Sequence, residues 1–200
     1  MSRSRIAFAL IISAVVLGAA AAPALAQDAA PPPPAQDPAS PTPRIDLYVG
    51  IGRTTTSGGG SPFHLHSTGP QVKFGWNLSR RVGLVFDGSF SVASGGHVGY
   101  SLTTGPRFAF INRSRLVPFV QVVAGVKREL RWTALYPPTY DPRLVAQVAA
   151  ACGLDVLISR GWAVRVLQVE EQRTLASGSA NHLVVSAGVV FRFGSRPKSE

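Results

Sequence analysis

The sequence is short of cysteine and of charge. Cys152 is the single cysteine of 200 residues, so no intramolecular disulfide can form. Since its neighbours include no His or Cys, we interpret it as a small apolar strand residue rather than a metal-binding or reactive thiol. Charged residues make up 15% of the chain, whereas about a quarter is usual in soluble domains. This scarcity alone does not decide the class of protein.

Acidic residues are also scarce relative to basic ones, 10 against 20, which gives a formal net charge of +10. Many basic proteins bind nucleic acid, but here the Lys and Arg residues are scattered and no recognition-helix pattern accompanies them. We therefore expect no nucleic-acid partner. Attraction to anionic lipopolysaccharide is an alternative physical explanation for the basic balance.

Two N-terminal segments are predicted to precede the folded domain. Residues 1–26 contain Arg3 and Arg5, an apolar stretch, and the small residues Ala24 and Ala26, a pattern typical of a cleaved secretory signal. An uncleaved membrane anchor is the alternative, but the apolar stretch is short for a span and ends in a processing site. Residues 27–43 are rich in proline, which predicts an extended periplasmic tether or, alternatively, a docking segment.

From Arg44 onward, apolar and polar residues alternate along eight segments, which predicts an all-β fold. The alternation is clearest near the end of the chain, where Leu183, Val185, Ala187, Val189, Phe191 and Phe193 share one face. In the seventh segment it drifts after Arg165, which predicts a bulge near Leu167 and Gln168. The predicted strands are Arg44–Arg53, Pro70–Leu78, Val82–Val92, His97–Phe110, Leu116–Leu130, Leu144–Ile158, Trp162–Thr174 and Asn181–Phe193, and residues 195–200 form a polar tail.

The connections between these strands alternate in length. Those around residues 79–81, 112–115 and 159–161 are tight, whereas those at 54–69, 129–143 and 174–180 are long and rich in Gly, Ser, Thr and Pro. The connection at 93–96 is short but lies on the long-loop side. Short turns at one end and mostly long loops at the other are typical of outer-membrane barrels, with the turns in the periplasm.

Several short motifs resemble a known family. The closing run Val189-Val190-Phe191-Arg192-Phe193 is similar to the last strand of Gram-negative outer-membrane barrels. Over residues 44–194 the chain resembles small OmpA-like proteins with an eight-stranded antiparallel up-and-down transmembrane β-barrel. The resemblance implies an outer-membrane location, contact with outer-membrane lipid and lipopolysaccharide, and recognition of the C-terminal strand by the assembly machinery. The other motifs are Gly75-Trp76-Asn77, Gly105-Pro106-Arg107-Phe108, Val117-Pro118-Phe119, Gly153-Leu154-Asp155 and Trp162-Ala163-Val164-Arg165.

Alternation alone does not say which face looks outward, because a periplasmic lipocalin-like carrier would place its apolar face around a ligand cavity. We expect the apolar face outside, because the polar face is rich in Gly, Ala and Ser, which suits a narrow lumen. Large aromatics beside the short turns then form an interfacial girdle. The predicted girdle comprises Trp76, Phe108, Phe110, Trp162, Phe191 and Phe193.

If the polar face is internal, its charged residues must pair across the lumen, because isolated buried charges are very costly. Eight strands leave an interior that side chains can fill, so we expect a plugged barrel with little or no steady conductance. A proton or ion path is the less favoured alternative. The predicted structural network comprises Asp46, Lys73, Asp87, Arg107, Lys127, Asp155, Arg165 and Arg192.

The sequence offers little chemistry, so we expect no cofactor, no metal site and no enzymatic activity. His64 and His66 form a pair in the first long loop, but two ligands are too few for a metal site. A lipid A-modifying enzyme remains the alternative, since some small outer-membrane barrels are deacylases or acyltransferases. Its candidate residues would be His182 with Ser177, Ser179, Glu170 and Glu171.

Aromatic residues in the loop at 129–143 indicate a further surface. Trp132, Tyr136 and Tyr140 could contact a surface ligand, or they could pack over the barrel mouth or reinforce an outer aromatic belt. The sequence therefore favours an integral outer-membrane barrel with a structural or surface-interaction role in the envelope.

Overall fold

A computed structural model of the chain contains eight β-strands and describes residues 43–58, 65–93, 97–111, 114–131, 144–175 and 180–195. The predicted signal segment, the tether up to residue 42 and most of the long loops lie outside these ranges. The strands are β1 (Pro43–Gly58), β2 (Leu65–Asn77), β3 (Val82–Ala93), β4 (His97–Ala109), β5 (Leu116–Arg131), β6 (Val145–Leu157), β7 (Trp162–Thr174) and β8 (Ala180–Ser195).

Each strand pairs antiparallel with its neighbour in the chain, and β1 pairs with β8, so the sheet closes into a barrel. The predicted eight-stranded antiparallel fold is confirmed. The β1–β8 pairing runs from Pro43 opposite Ser195 to Gly58 opposite Ala180. Closure leaves no sheet edge unpaired, which is the condition for placing β-strands in a lipid environment.

β1 and β2 are longer than predicted, because residues 54–58 and 65–69 continue the strands instead of belonging to a loop. Thr54, Thr55 and Thr56 pair with β2 on one side and with β8 on the other. Their polar side chains and the glycines nearby resemble loop composition, but branched Thr side chains fit strands well. Pairing with a strand on each side therefore outweighs the loop-like composition of these residues.

β7 contains the predicted bulge. Relative to β6, Leu154 pairs with Leu167 and Asp155 with Arg165, so Val166 is the extra residue. The register with β8 shifts between Arg165 and Gln168. The extra residue reverses the alternation of β7 beyond this point.

The barrel is apolar outside and polar inside. Large apolar side chains such as Ile51, Leu102 and Val122 are about 60% exposed on the outer face (61%, 61% and 60%). This arrangement is the reverse of a carrier with an apolar cavity, so the lipocalin-like alternative does not fit. Among the described residues, no helix is long and apolar enough to cross a membrane.

Candidate functional site

The barrel interior is the most highly charged region that the structure describes, and Asp155 of β6 lies at its centre. Its carboxylate accepts hydrogen bonds from Arg165 Nε at 2.7 Å and Arg165 Nη2 at 3.1 Å. It also accepts one from Arg107 Nη2 at 2.8 Å. One carboxylate therefore holds two guanidinium groups, from β4 and β7, within the lumen.

Asp46 of β1 extends this cluster toward the short-turn end. Its Oδ2 lies 3.5 Å from Arg107 Nη1 and accepts a hydrogen bond from Asn77 Nδ2 at 3.0 Å. Its Oδ1 lies 3.6 Å from Nε of Arg192 in β8. Asp46 therefore connects β1 to β2, β4 and β8.

A second cluster surrounds Lys73 of β2. Its ammonium contacts the carboxylate of Asp87, its cross-strand neighbour on β3, and lies 3.0 Å from Glu170 Oε2 of β7. Glu170 also accepts hydrogen bonds from Gln168 Nε2 at 2.9 Å and Gln172 Nε2 at 2.8 Å. The cluster thus joins one side of the barrel, β2 and β3, to β7.

Gln168 links the two clusters, because its Oε1 accepts a hydrogen bond from Arg165 Nη1 at 2.8 Å. We call the eight ionic residues, joined through Gln168, the lumen charge network. Four cations face four carboxylates, so the network is neutral overall and each buried charge has an ionic partner. Its members are Asp46, Lys73, Asp87, Arg107, Asp155, Glu170, Arg165 and Arg192.

This network differs from the predicted one at two positions. Glu170 was considered only as a candidate catalytic acid, because the β7 bulge hides its inward orientation. Lys127 lies outside the described network; its Nζ is 3.1 Å from Nε2 of His182. The predicted set contained five cations and three acids. This excess of positive charge indicates that the predicted set lacks one inward-facing carboxylate.

Two aromatic rings sit among the buried guanidinium groups, and neither was predicted there. The Arg107 and Arg165 guanidinium carbons lie 4.4 Å and 4.2 Å from the centre of the Phe119 ring. Arg165 also lies 4.6 Å from the centre of the Tyr48 ring. The rings supply cation–π contacts where water is excluded. Gly153 makes room for Phe119, because a Cβ there would lie 2.5 Å from the ring.

Two small cavities flank the network. The one toward the long-loop end has a volume of about 20 Å³ and is lined by residues including Gln71, Ser101 and Lys127. The one toward the short-turn end has a volume of about 50 Å³ and is lined by residues including Asn77 and Arg80. These volumes accommodate roughly one and roughly four water molecules.

His182 lies inside the barrel near the long-loop end. It is 2% exposed, and its Nδ1 lies 2.8 Å from Oγ1 of Thr56. Both carboxylate oxygens of Glu170 are occupied by other partners, and Ser177 and Ser179 lie outside the described residues. A lipid-modifying enzyme needs its catalytic residues within reach of substrate at the membrane interface, whereas His182 is enclosed in the interior. The geometry therefore gives the hydrolase alternative no support.

The pair His64 and His66 is not seen as a site. His66 lies on the outer face of β2, where its Nδ1 is 3.2 Å from Oγ1 of Thr55 on β1. His64 lies outside the described residues. Within the described ranges, no group of three or more His, Cys, Asp or Glu residues is arranged to hold a metal ion.

The predicted girdle residues all lie on the outer face near the short turns. Their exposure ranges from 41% for Trp162 to 53% for Phe110. The strand pairing brings some of them together: Phe191 lies opposite Trp162, and Ile45 lies between Phe193 and Trp76. Large rings therefore surround this end of the barrel.

Comparison with known proteins identifies the fold but no closer relative. No model of a known protein family matches the sequence, and no curated protein matches it.

Among solved structures, Neisserial surface protein A aligns with a TM-score of 0.65 and 11% identity, covering 74% of this chain and 97% of that one. The outer membrane protein OprG from Pseudomonas aeruginosa gives 0.53 and 8%, covering 78% and 98%. Ail, the attachment invasion locus protein of Yersinia pestis, solved in complex with the heparin analogue sucrose octasulfate, gives 0.52 and 15%, covering 76% and 99%. The chain therefore has the fold of outer-membrane β-barrels.

Proposed function

We propose that the chain is an integral outer-membrane β-barrel protein of a Gram-negative envelope, with a filled lumen and a structural or surface-interaction role. One observation carries this proposal: the closed barrel exposes an apolar outer face and encloses a neutral network of charges. In water, such an outer face would be an aggregation hazard. Against lipid, it is the favoured surface.

The filled lumen is proposed from the size and burial of the side chains inside. Arg165, Tyr48 and Phe119 are each 2% exposed or less and stack on one another near the middle of the barrel. The cavities above and below them have volumes of about 20 Å³ and 50 Å³. A plug of this kind favours a structural role for the charges over an ion path.

The proposed protein also belongs to a family, is assembled by dedicated machinery and contacts specific lipids. The last residues of β8 and the short sequence motifs near the short turns support membership of the OmpA-like group. The last residues of β8 also support recognition of this strand by the outer-membrane assembly machinery. The location implies contact with outer-membrane lipid and lipopolysaccharide. A surface-interaction role is assigned to the long-loop end, including residues 129–143, most of which lie outside the described residues.

Envelope fractionation tests the proposal. We expect the expressed chain in the outer-membrane fraction, with different mobility on SDS gels before and after boiling, because a closed sheet with every backbone group paired resists cold SDS. As a matched control, a chain without residues 180–200 lacks β8, so its sheet keeps two open edges and shows no shift.

Recovery of the unaltered chain in the soluble periplasm, with no change of mobility on boiling, would overturn both the location and the outward assignment of the apolar face.

A further inference from the structure

The short-turn end of the barrel carries exposed arginines without exposed acids. Arg44 is the second residue of β1, and the β2–β3, β4–β5 and β6–β7 turns each contribute at least one arginine. No exposed Asp or Glu accompanies them in the described chain; the nearest carboxylate, Asp46, is buried and faces the lumen. We call these exposed residues the short-turn arginines: Arg44, Arg80, Arg81, Arg115 and Arg160.

Within the described residues, none of the short-turn arginines forms an ion pair. Arg107 and Arg165 are the contrast, since both are buried and satisfied by carboxylates inside the barrel. The short-turn arginines therefore present their guanidinium groups to whatever surrounds this end of the molecule.

In each of the three short turns, a serine hydroxyl accepts a hydrogen bond from a nearby backbone N–H group. Ser79 Oγ accepts a hydrogen bond from Val82 N at 3.0 Å, Ser114 Oγ one from Leu116 N at 3.1 Å, and Ser159 Oγ one from Gly161 N at 3.2 Å. Such local bonds hold tight turns in one conformation. The bonded segments contain Arg80, Arg81, Arg115 and Arg160, so the backbone that carries these four arginines is held at the short-turn end.

The position of these arginines along the barrel is set relative to the aromatic girdle. Arg80 follows Trp76 by four residues and Arg160 precedes Trp162 by two, which corresponds to roughly 7–13 Å along a strand. Aromatic rings of this kind settle at the depth of lipid headgroups. The guanidinium groups then lie at, or just beyond, the phosphate level of the same leaflet.

We propose that the short-turn arginines bind the phosphates of anionic phospholipids, such as phosphatidylglycerol, in the leaflet that the short turns face. Guanidinium groups bind phosphate through paired hydrogen bonds. The arrangement favours lipid over a protein partner, because the arginines come from β1 and all three turns and so surround the barrel, as a lipid shell does. A protein would recognise a patch on one side.

The long-loop end differs in charge, which makes it a control surface. There the exposed Arg53 and Arg173 and the partly exposed Arg128 share the outer face with the partly exposed Glu171. The inference rests on the proposed membrane location, but it adds a lipid class and a leaflet.

Spin-label electron paramagnetic resonance tests it. The refolded full chain is placed in phosphatidylcholine vesicles that contain a trace of spin-labelled phosphatidylglycerol or spin-labelled phosphatidylcholine. The motionally restricted fraction of each label is then measured. We expect the barrel to restrict phosphatidylglycerol at least about twofold more than phosphatidylcholine. The ratio should fall to near one in the quadruple variant Arg80→Gln, Arg81→Gln, Arg115→Gln, Arg160→Gln.

The control variant Arg53→Gln, Arg128→Gln, Arg173→Gln removes three arginines at the other end and should keep the wild-type ratio. If the quadruple variant does not refold, the wild type is measured in 1 M NaCl, where screening over about 3 Å should abolish the preference.

A wild-type ratio of one, a ratio that survives in the quadruple variant or in salt, or an equal fall in the control variant would each overturn the inference. So would the absence of a lipid preference combined with salt-sensitive binding to purified cell-wall sacculi, which would assign the arginines to the cell-wall polymer. A chain that does not insert at all contradicts the proposed function instead, and the boiling-dependent gel shift reports that separately.

Discussion

At the scale of single residues, Asp155 is the position on which most of the lumen depends. Its carboxylate accepts three hydrogen bonds from Arg107 and Arg165, and these guanidinium groups also stack on Phe119. A charge in this interior is tolerated only because its partner neutralises it. Removing one partner leaves the other buried and uncompensated.

We therefore expect Asp155→Asn to destabilise the folded barrel by about 3–5 kcal/mol, because it leaves two buried guanidinium groups with one carboxylate fewer. The measurement is the urea midpoint of the refolded chain in lipid vesicles. Glu171→Gln makes the same chemical change on the outer face of β7 and should alter stability by less than about 1 kcal/mol. Equal effects of the two substitutions would show that the carboxylate of Asp155 is not needed to hold the arginines.

Most individual network residues could be predicted from the sequence. On a strand whose apolar residues face lipid, a charged residue that alternates with them must face the lumen. Lys73, Asp87 and Arg165 are of this kind. Tyr48 and Phe119 could not, since an aromatic ring on an otherwise outward-apolar barrel gives no sign that it belongs among buried guanidinium groups. Their positions depend on contacts between strands that are distant in sequence.

At the scale of elements, the β7 bulge determines which residues reach the lumen. Before it, Ala163 and Arg165 face inward; after it, Gln168, Glu170 and Gln172 do. The sequence indicates that apolar and polar residues stop alternating regularly in β7, but it does not show at which residue regular alternation begins again. For that reason Glu170, the partner of Lys73, is absent from the predicted network.

The phase of β7 beyond the bulge should therefore be essential for assembly of the barrel. Deleting Val169, which lies beyond the bulge, would point Glu170 and Gln172 toward lipid and Arg173 toward the lumen. We expect this variant to lose the boiling-dependent mobility shift, whereas deleting Val166 removes the extra residue, leaves Glu170 and Gln172 facing inward, and should retain the shift. A Val169 deletion variant with the wild-type shift would mean that the orientation of this part of β7 is dispensable.

The extensions of β1 and β2 depend on neighbouring strands more than on their own composition. Thr54 to Gly58 and Leu65 to Gly69 have the composition of a loop, yet they continue the sheet because neighbouring strands offer them hydrogen-bond partners. The strength of that pairing is a property of the closed barrel and not of the segment. Periodicity located all eight strands, but not how far these two reach.

At the scale of the whole molecule, the distribution of polarity separates a membrane barrel from a soluble one. Alternating apolar and polar residues suit both kinds of barrel. The outward orientation of the apolar face was inferred from the Gly, Ala and Ser residues of the polar face and from the aromatic girdle. With side chains packed through the lumen, the barrel is expected to be a solid cylinder and not a channel.

Planar-bilayer recording examines that expectation. The wild-type chain should give no steady stepwise current, because Arg165, Tyr48 and Phe119 block the middle of the interior. The double variant Tyr48→Ala, Phe119→Ala removes both rings and should give measurable current if it refolds. Stable conductance steps from the wild type would contradict a filled lumen.

The ion pair between Asp46 and Arg192 affects when the barrel can complete its folding. It joins β1, the first strand to leave the ribosome, to β8, the last, across the seam that closes the sheet. Until β8 exists, Asp46 lacks Arg192 and β1 lacks half of its backbone partners. Contacts so distant in sequence also form slowly. On the proposed route to the outer membrane, the chain therefore crosses the aqueous compartment before its fold is complete, and its lifetime there depends on protection from aggregation rather than on its final stability.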